Sequence, residues 1–345
     1  MNDLRNILNL LADGELLSEE QSEAAFSLIM AGKVDLSQMA AFVMALRLRG
    51  ETVDEIVGGA RVLRARAAPI TAPEGIVDTC GTGGDGTGTY NISTAAAIVT
   101  AACGVPVAKH GNRSVSSKSG SADVLMALGA DLTVPISANE KALAEFGLAF
   151  LFAPAHHRAM RHVAPVRSSL GLRSIFNLLG PLANPALARR QVLGVFDRKW
   201  QRPMAEVLER LGSKHVWVVH GEDGLDELTT TGKTYVVEMK DGEYREFTVT
   251  PSDAGLPSAS LQDLRGGEAE ENALALQSVL RGEPSAYRDI VILNTAAALI
   301  VAGEVPDLKA GANLASSAID NGSALKLLAN WSAFTRENGE DTSQK

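Results

Sequence analysis

Asp78-Thr-Cys-Gly-Thr-Gly-Gly-Asp-Gly-Thr-Gly-Thr-Tyr-Asn-Ile-Ser-Thr94 is the stretch on which the reading of this chain turns. Glycine fills five of the eight positions from 81 to 88, namely Gly81, Gly83, Gly84, Gly86 and Gly88. Glycine tolerates positive φ and lets backbone approach a ligand closely, so N–H groups in such a loop can converge on an anion. Ile76-Val-Asp78 ahead of it reads as a strand. Asn91, Ser93 and Thr94 behind it open an apolar, alanine-rich run that reads as a helix. The helix N-terminus adds free N–H groups and partial positive charge, which suits a phosphate or a diphosphate.

Gly81-Thr-Gly83-Gly-Asp-Gly86 also fits G-x-G-x-x-G, the dinucleotide fingerprint. That fingerprint needs an acidic residue about 20 positions on, to hold the ribose hydroxyls. Here the next strand-like run, Val105-Pro-Val-Ala108, delivers Lys109-His-Gly-Asn-Arg113, which is cationic and polar. The context counts against NAD, and G-x-x-x-x-G-K-[ST] is absent from the sequence.

The elements around this loop alternate. Strands are expected over 75–78, 105–108, 149–153, 191–196 and 215–220, with a β-rich patch over 234–249. Helices are expected over 92–103, 121–129, 137–146 and 199–212, with a Lys109–Gly120 loop between the second strand and Ser121, a residue suited to cap the next helix. Strands separated by helices imply an α/β fold with a mostly parallel central sheet flanked by helices, and ligands at the carboxyl ends of the strands. Residues 1–70 instead read as a smaller all-helical domain. Ser18-Glu-Glu-Gln21 and Thr52-Val-Asp-Glu55 are capping boxes, and the apolar residues of Met39–Leu48 face nearly every direction, as in a helix buried against a partner. Two prolines in Ala68-Pro-Ile-Thr-Ala-Pro73 mark the boundary. The α/β domain then runs 71–345, and helical turns over 165–188 rejoin the N-terminal helices.

Composition narrows the function. The chain has 345 residues and a net charge of -9, which disfavours a polyphosphate partner. Its two cysteines, Cys80 and Cys103, fit a reducing compartment. Met1-Asn-Asp-Leu-Arg lacks the basic-then-apolar order of a signal peptide. Ile290–Ala302, the longest apolar run, falls short of the ~20 residues that span a bilayer. A cytoplasmic protein without membrane or nucleic-acid partners is expected. Asp226-Glu227, following the strand Val216-Trp-Val-Val219, are adjacent carboxylates suited to Mg²⁺ or, read blandly, an acidic turn. His156-His157 lack a third ligand spaced for zinc and read as structural. Arg167, if it faces the cleft, suits a carboxylate through a two-pronged pair.

Taken together, Gly81-Thr-Gly-Gly-Asp-Gly86 with Asn91-Ile-Ser-Thr94, Lys109-His-Gly-Asn-Arg113, Arg167 ahead of Ile175-Phe-Asn-Leu-Leu-Gly-Pro-Leu182, and His220-Gly-Glu-Asp-Gly-Leu-Asp-Glu227 resemble the anthranilate phosphoribosyltransferases of tryptophan biosynthesis. The resemblance runs in order to about residue 335. It departs at Tyr90, where the family often has Phe, and at Met126, where Glu is frequent. The resemblance implies transfer of the phosphoribosyl group of phosphoribosyl diphosphate to the amine of anthranilate. It implies a fold similar to that of pyrimidine nucleoside phosphorylases and a homodimer joined through the helical domain. It also implies that Gly81, Gly84, Asp85, Thr89, Asn91, Ile92, Ser93, Thr94, Lys109, Asn112, Arg113, Ser114, Ser116, Ser117 and Ser121 hold the sugar diphosphate. Ser93, Asp226 and Glu227 match its Mg²⁺ positions, and Gly81, His110, Asn112 and Arg167 its anthranilate site.

The reaction needs charge stabilised on departing diphosphate and an aromatic amine positioned, which fits a chain with no Ser-His-Asp or Cys-His pair. No general base is assigned, although Glu227 or a water could take the last proton. Two competing readings use the same architecture. A pyrimidine nucleoside phosphorylase is opposed by the Arg167 segment and the Asp226-Glu227 pair. A non-catalytic nucleic-acid-binding relative is opposed by the intact glycine loop and the acidic charge.

Overall fold

Four helices lead the chain in the computed structural model, which describes residues 4–113 and 118–339: Leu4–Ala12, Glu19–Met30, Leu36–Arg49 and Val53–Arg66. The second and fourth begin at the capping boxes. Ser18 Oγ accepts the Gln21 N–H at 3.3 Å while Gln21 Oε1 accepts the Ser18 N–H at 2.9 Å, and Thr52 and Glu55 do the same at 3.3 and 2.9 Å. Each pair satisfies N–H groups that a helix start leaves without partners. Glu55 is fully buried, accepts the Leu17 N–H at 3.1 Å and pairs with Arg49. It therefore ties the first interhelical loop to the end of the third helix. Phe26 lies at the centre of this bundle, edge-on to Phe42 at 5.6 Å and to Phe176 at 5.8 Å. Phe176 belongs to a later pair of helices, Ala164–Leu170 and Ile175–Leu179, whose apolar residues share one cluster with the N-terminal helices.

The remaining chain builds one seven-stranded sheet. Its strands are β1 (Val77–Gly81), β2 (Val107–Gly111), β3 (Leu148–Phe152), β4 (Arg190–Gly194), β5 (His215–Gly221), β6 (Thr234–Lys240) and β7 (Glu243–Val249). They lie in the order β3-β2-β1-β4-β5-β6-β7, parallel from β3 through β5 and antiparallel at the β6–β7 edge. The chain moves outward from β1 to β3, then returns to the other side of β1 for β4. Loops leaving β1 and β4 diverge at that reversal and open a crevice at the carboxyl ends of the strands.

Alternation along the strands assigns the two faces. Val192, Trp217 and Val219 pack with the helices Ile92–Ala102 and Ala286–Ala302, whereas Leu193, Val216 and Val218 join the cluster of the helical bundle and the helix Gln201–Arg210. The apolar run Ile290–Ala302 lies within the buried helix Ala286–Ala302, and among the described residues no helix is long and apolar enough to cross a membrane.

The second strand departs from the sequence expectation. It does not end at Ala108 but runs Val107–Gly111, so Lys109 and His110 are buried strand residues rather than the start of a loop. Pro106 has no N–H to give to the ladder, and the pairing of Lys109, His110 and Gly111 with Phe150, Leu151 and Phe152 of β3 carries the strand further. Glu55→Ala leaves two backbone N–H groups and Arg49 without their acceptor. It is expected to destabilise the fold by about 3–5 kcal/mol, read as a lower urea midpoint.

Candidate active site

Gly81 and Gly194 are register partners at the ends of β1 and β4. A Cβ on Gly81 would overlap the Asp226 carboxylate, and one on Gly194 would overlap the Asp226 backbone carbonyl. The two glycines thus form a slot in which Asp226 is buried. Asp226 Oδ2 accepts the Gly83 N–H at 2.6 Å, and Glu227 Oε1 accepts the Ser93 N–H at 3.2 Å. One carboxylate therefore orders the glycine loop and the other orders the first turn of the helix Ile92–Ala102. Burial pushes the pKa of both acids up; the Asp85 charge adds to the effect on Asp226, and the Asp226 charge to that on Glu227.

Lys109 is the counterweight. Buried in β2, it donates from Nζ to Ser93 Oγ at 3.1 Å and to the Thr79 carbonyl, and its charge favours the ionised form of both acids. One ammonium faces two acids whose ionised forms burial disfavours, so a second positive charge beside them would favour ionisation. The donors here are all oxygens, from Asp226, Glu227 and the Ser93 hydroxyl, a set that suits a hard divalent cation. Among the described residues no three His, Cys, Asp or Glu side chains form a metal cluster. A cation held here would complete its shell with water and a bound phosphate, the habit of Mg²⁺.

The rest of the glycine loop is held from several sides. Asp85 accepts from Thr87 Oγ1 at 2.6 Å and Thr87 N at 3.2 Å. The Gly84 carbonyl accepts from Arg173, whose guanidinium also lies 4.5 Å from the centre of the Phe196 ring. Thr89 pairs with Arg265 in an isolated antiparallel bridge. Ile92 and Thr94 are buried in the first helical turn. Asn91 precedes that helix, yet its side chain makes no capping bond and donates instead to the Ser119 carbonyl at 3.3 Å.

The second loop is described in part, because Ser114, Ser116 and Ser117 lie outside the described residues. Asn112 and Arg113 are exposed, with Asn112 Oδ1 accepting the Arg113 N–H at 2.8 Å. Ser121 does not cap the helix Ser121–Ala127. Gly120 is the N-cap residue, its N–H taken by Asp123 at 2.9 Å, and Ser121 Oγ donates to the Asn112 carbonyl at 3.2 Å. The reason is spatial: the β2 end brings Asn112 within reach of the hydroxyl.

His110 donates its Nδ1–H to the Gly180 carbonyl, 3.2 Å away, because a carbonyl can only accept. Its Nε2 is then a lone-pair acceptor, buried and without a partner among the described residues; Nε2 of His157, whose ring centre is 5.1 Å from that of His110, is likewise buried and without a partner among them. Burial, with the neighbouring histidines adding, pushes His110 down to about 3 and His157 to about 4, so both are neutral near pH 7. Arg167 is half-buried on the helix Ala164–Leu170, 6.0 Å from the Phe176 ring centre. Among the described residues it has no ion pair, and burial lowers its pKa. A cation in that state suits an incoming carboxylate.

Sequence reasoning passed over three residues here. Asp78 is fully buried beneath the site and accepts the His110 N–H at 3.2 Å and the Asn184 amide at 2.8 Å. Its signal was a carboxylate within an otherwise apolar strand. Arg173 and Asn184 carried no local signal, because their partners lie far off in sequence. A surface cavity of about 350 Å³ bordered by Arg198, Arg202, Tyr235 and Phe247 includes none of the site residues.

Residues 73–325 match the glycosyl transferase family a/b domain, and residues 5–67 match the glycosyl transferase family helical bundle domain. An anthranilate phosphoribosyltransferase of Parvibaculum lavamentivorans is 56% identical over 335 residues, covering 97% of this chain and 98% of that one. Another, of Rhodospirillum rubrum, is 57% identical over 333 residues, with 96% of each chain covered. The solved anthranilate phosphoribosyltransferase of Thermus thermophilus is similar with a TM-score of 0.91 and 47% identity, over 95% of this chain and 99% of that one. That of Saccharomyces cerevisiae in complex with PRPP and Mg is similar with a TM-score of 0.90 and 29% identity, over 97% and 98%. With both domains matched and identity above half along nearly its whole length, the chain belongs to the anthranilate phosphoribosyltransferase family.

Proposed function

We infer that the protein transfers the phosphoribosyl group of 5-phosphoribosyl 1-diphosphate to the amine of anthranilate, giving N-(5-phosphoribosyl)anthranilate and diphosphate in tryptophan biosynthesis. The observation that carries this is the slot formed by Gly81 and Gly194, which brings the carboxylates of Asp226 and Glu227 against the glycine loop and a helix N-terminus. Relatives above 50% identity favour the transferase over a nucleoside phosphorylase or a nucleic-acid-binding relative.

Gly81, Gly84, Asp85, Thr89, Asn91, Ile92, Ser93, Thr94, Lys109, Asn112, Arg113, Ser114, Ser116, Ser117 and Ser121 are proposed to hold the sugar diphosphate. Backbone N–H groups of the glycine loop and the buried Lys109 ammonium face the leaving group, where negative charge grows as the anomeric bond breaks. Ser93, Asp226 and Glu227 would hold Mg²⁺, which neutralises diphosphate charge and so makes it a better leaving group. Arg167 takes the anthranilate carboxylate, and Gly81, His110 and Asn112 line the acceptor site. Nε2 of His110, without a partner among the described residues, supports this, since a neutral imidazole acceptor can meet an amine N–H. The amine is uncharged near pH 7 and needs orientation more than a base.

We also propose that residues 1–70, joined by 165–188, form a helical domain and that residues 71–345 form the α/β domain that holds the sugar diphosphate. This division is supported by the apolar cluster shared by Phe26, Phe42 and Phe176. We further propose a homodimer joined through the helical part, supported by Leu16, Leu36 and Leu48, which expose 61%, 54% and 81% of their surface there. Two free cysteines support a cytoplasmic setting.

Loss of anthranilate fluorescence on adding phosphoribosyl diphosphate, with and without Mg²⁺, tests the activity directly; unchanged fluorescence with both present would overturn it. Arg167→Ala removes the proposed carboxylate partner. It is expected to cost about 2–5 kcal/mol in kcat/KM for anthranilate and to leave KM for the sugar diphosphate within twofold; equal effects on both substrates would refute the role. Asp226→Asn combined with Glu227→Gln is expected to shift the Mg²⁺ activation curve to higher concentration. An unmoved curve would exclude the pair as ligands.

A further inference from the structure

Asn91 and Asn272 form a chain of carboxamides between the two loops proposed to hold the sugar diphosphate. Asn91 Nδ2 donates to the Ser119 carbonyl at 3.3 Å, Asn272 Nδ2 donates to Asn91 Oδ1 at 3.0 Å, and Asn272 Oδ1 accepts the Gly267 N–H at 2.8 Å. Backbone groups of fixed polarity close both ends. A carbonyl at Ser119 demands the Asn91 NH₂, and an N–H at Gly267 demands the Asn272 oxygen. Only one orientation of each amide satisfies all three bonds. Asn272 is 2% exposed, so water does not compete for these groups.

The chain joins separate elements. Asn91 ends the glycine-rich stretch, Ser119 precedes the helix Ser121–Ala127, and Asn272 lies in the first turn of the helix Ala269–Leu280. The same region grips the glycine loop through backbone. Tyr90 N donates to the Leu264 carbonyl at 3.0 Å, Gly266 N donates to the Gly88 carbonyl at 2.9 Å, and Tyr287 Oη donates to the Asn91 carbonyl at 3.2 Å. Tyr90 and Tyr287 stack at 4.4 Å. These bonds would hold the backbone of Asn91 without Asn272. What Asn272 supplies is the donor to Asn91 Oδ1, which with the Ser119 carbonyl fixes the direction of the Asn91 amide.

We propose that Asn272 is a positioning residue for the sugar diphosphate: it locks the Asn91 carboxamide and, through it, holds the glycine loop and the Ser119 segment in one mutual arrangement. It acts through Asn91 and touches no substrate. The inference rests on the transferase reading above.

Asn272→Asp separates the two halves of the side chain's role. A carboxylate still accepts the Gly267 N–H but sets an acceptor against Asn91 Oδ1, and turning the Asn91 amide moves the clash to Ser119. KM and calorimetric Kd for phosphoribosyl diphosphate with Mg²⁺ are expected to rise about tenfold, with KM for anthranilate within twofold. In an Asn91→Ala background the same substitution is expected to add less than twofold, because its route is gone. Asn272→Ala, which removes the donor without adding charge, serves if the carboxylate prevents folding, and the same split is expected. Equal changes in both KM values, no change in either, or a full effect in the Asn91→Ala background would each overturn the relay. If the unmutated protein fails to bind the sugar diphosphate, the transferase reading falls instead.

Discussion

Asp226 occupies space that any side chain at Gly81 or Gly194 would claim, and the site depends on that close approach. Two strand ends without Cβ atoms let the loop after β5 reach across β4 to β1. Once there, Asp226 takes the Gly83 N–H, and its neighbour Glu227 takes that of Ser93. Putting two carboxylates together in a buried position is unfavourable on its own, which is why both are pushed toward the protonated form. Lys109 offsets part of that cost. A cation placed beside the two acids would favour their ionised forms in the same way.

The sheet order supplies the location. Because the chain reverses between β1 and β4, the loops above them part, and the glycine loop rises into the gap. The helical part meets this gap through the segment after His162. Its helices pack on Phe26 through Phe176, while Arg173 reaches the Gly84 carbonyl and covers Phe196. Arg167 on the same segment is left without a counter-ion among the described residues. The arrangement sets Arg167 on the helix Ala164–Leu170 apart from the carboxylates that hold the glycine loop at the sheet. Under the roles proposed above, the carboxylate of one substrate and the leaving group of the other then do not compete for one charge.

Much of this was legible in residue order. The capping boxes at Ser18 and Thr52, the five-glycine turn and the alternation of strands with helices are local features, and the elements formed where those signals stood. The errors were local as well. Lys109 and His110 were read as loop because charge argues against a buried strand, yet Lys109 is satisfied by Ser93 and Thr79, and the His110 N–H by Asp78. Ser121 was read as a helix cap, and its hydroxyl found Asn112 instead. Both errors come from partners that periodicity does not reveal.

Sequence alone therefore determined the element types, the glycine-rich turn and the resemblance that names the chemistry, because these depend on backbone freedom and side-chain spacing within a few residues. Only the tertiary structure decided which groups meet: Asp226 with Gly83, Glu227 with Ser93, and Asn272 with Asn91, separated by 143, 134 and 181 positions. Such pairs are set by strand order and register, and those follow from how all the apolar faces pack at once. No short stretch of the chain contains that information.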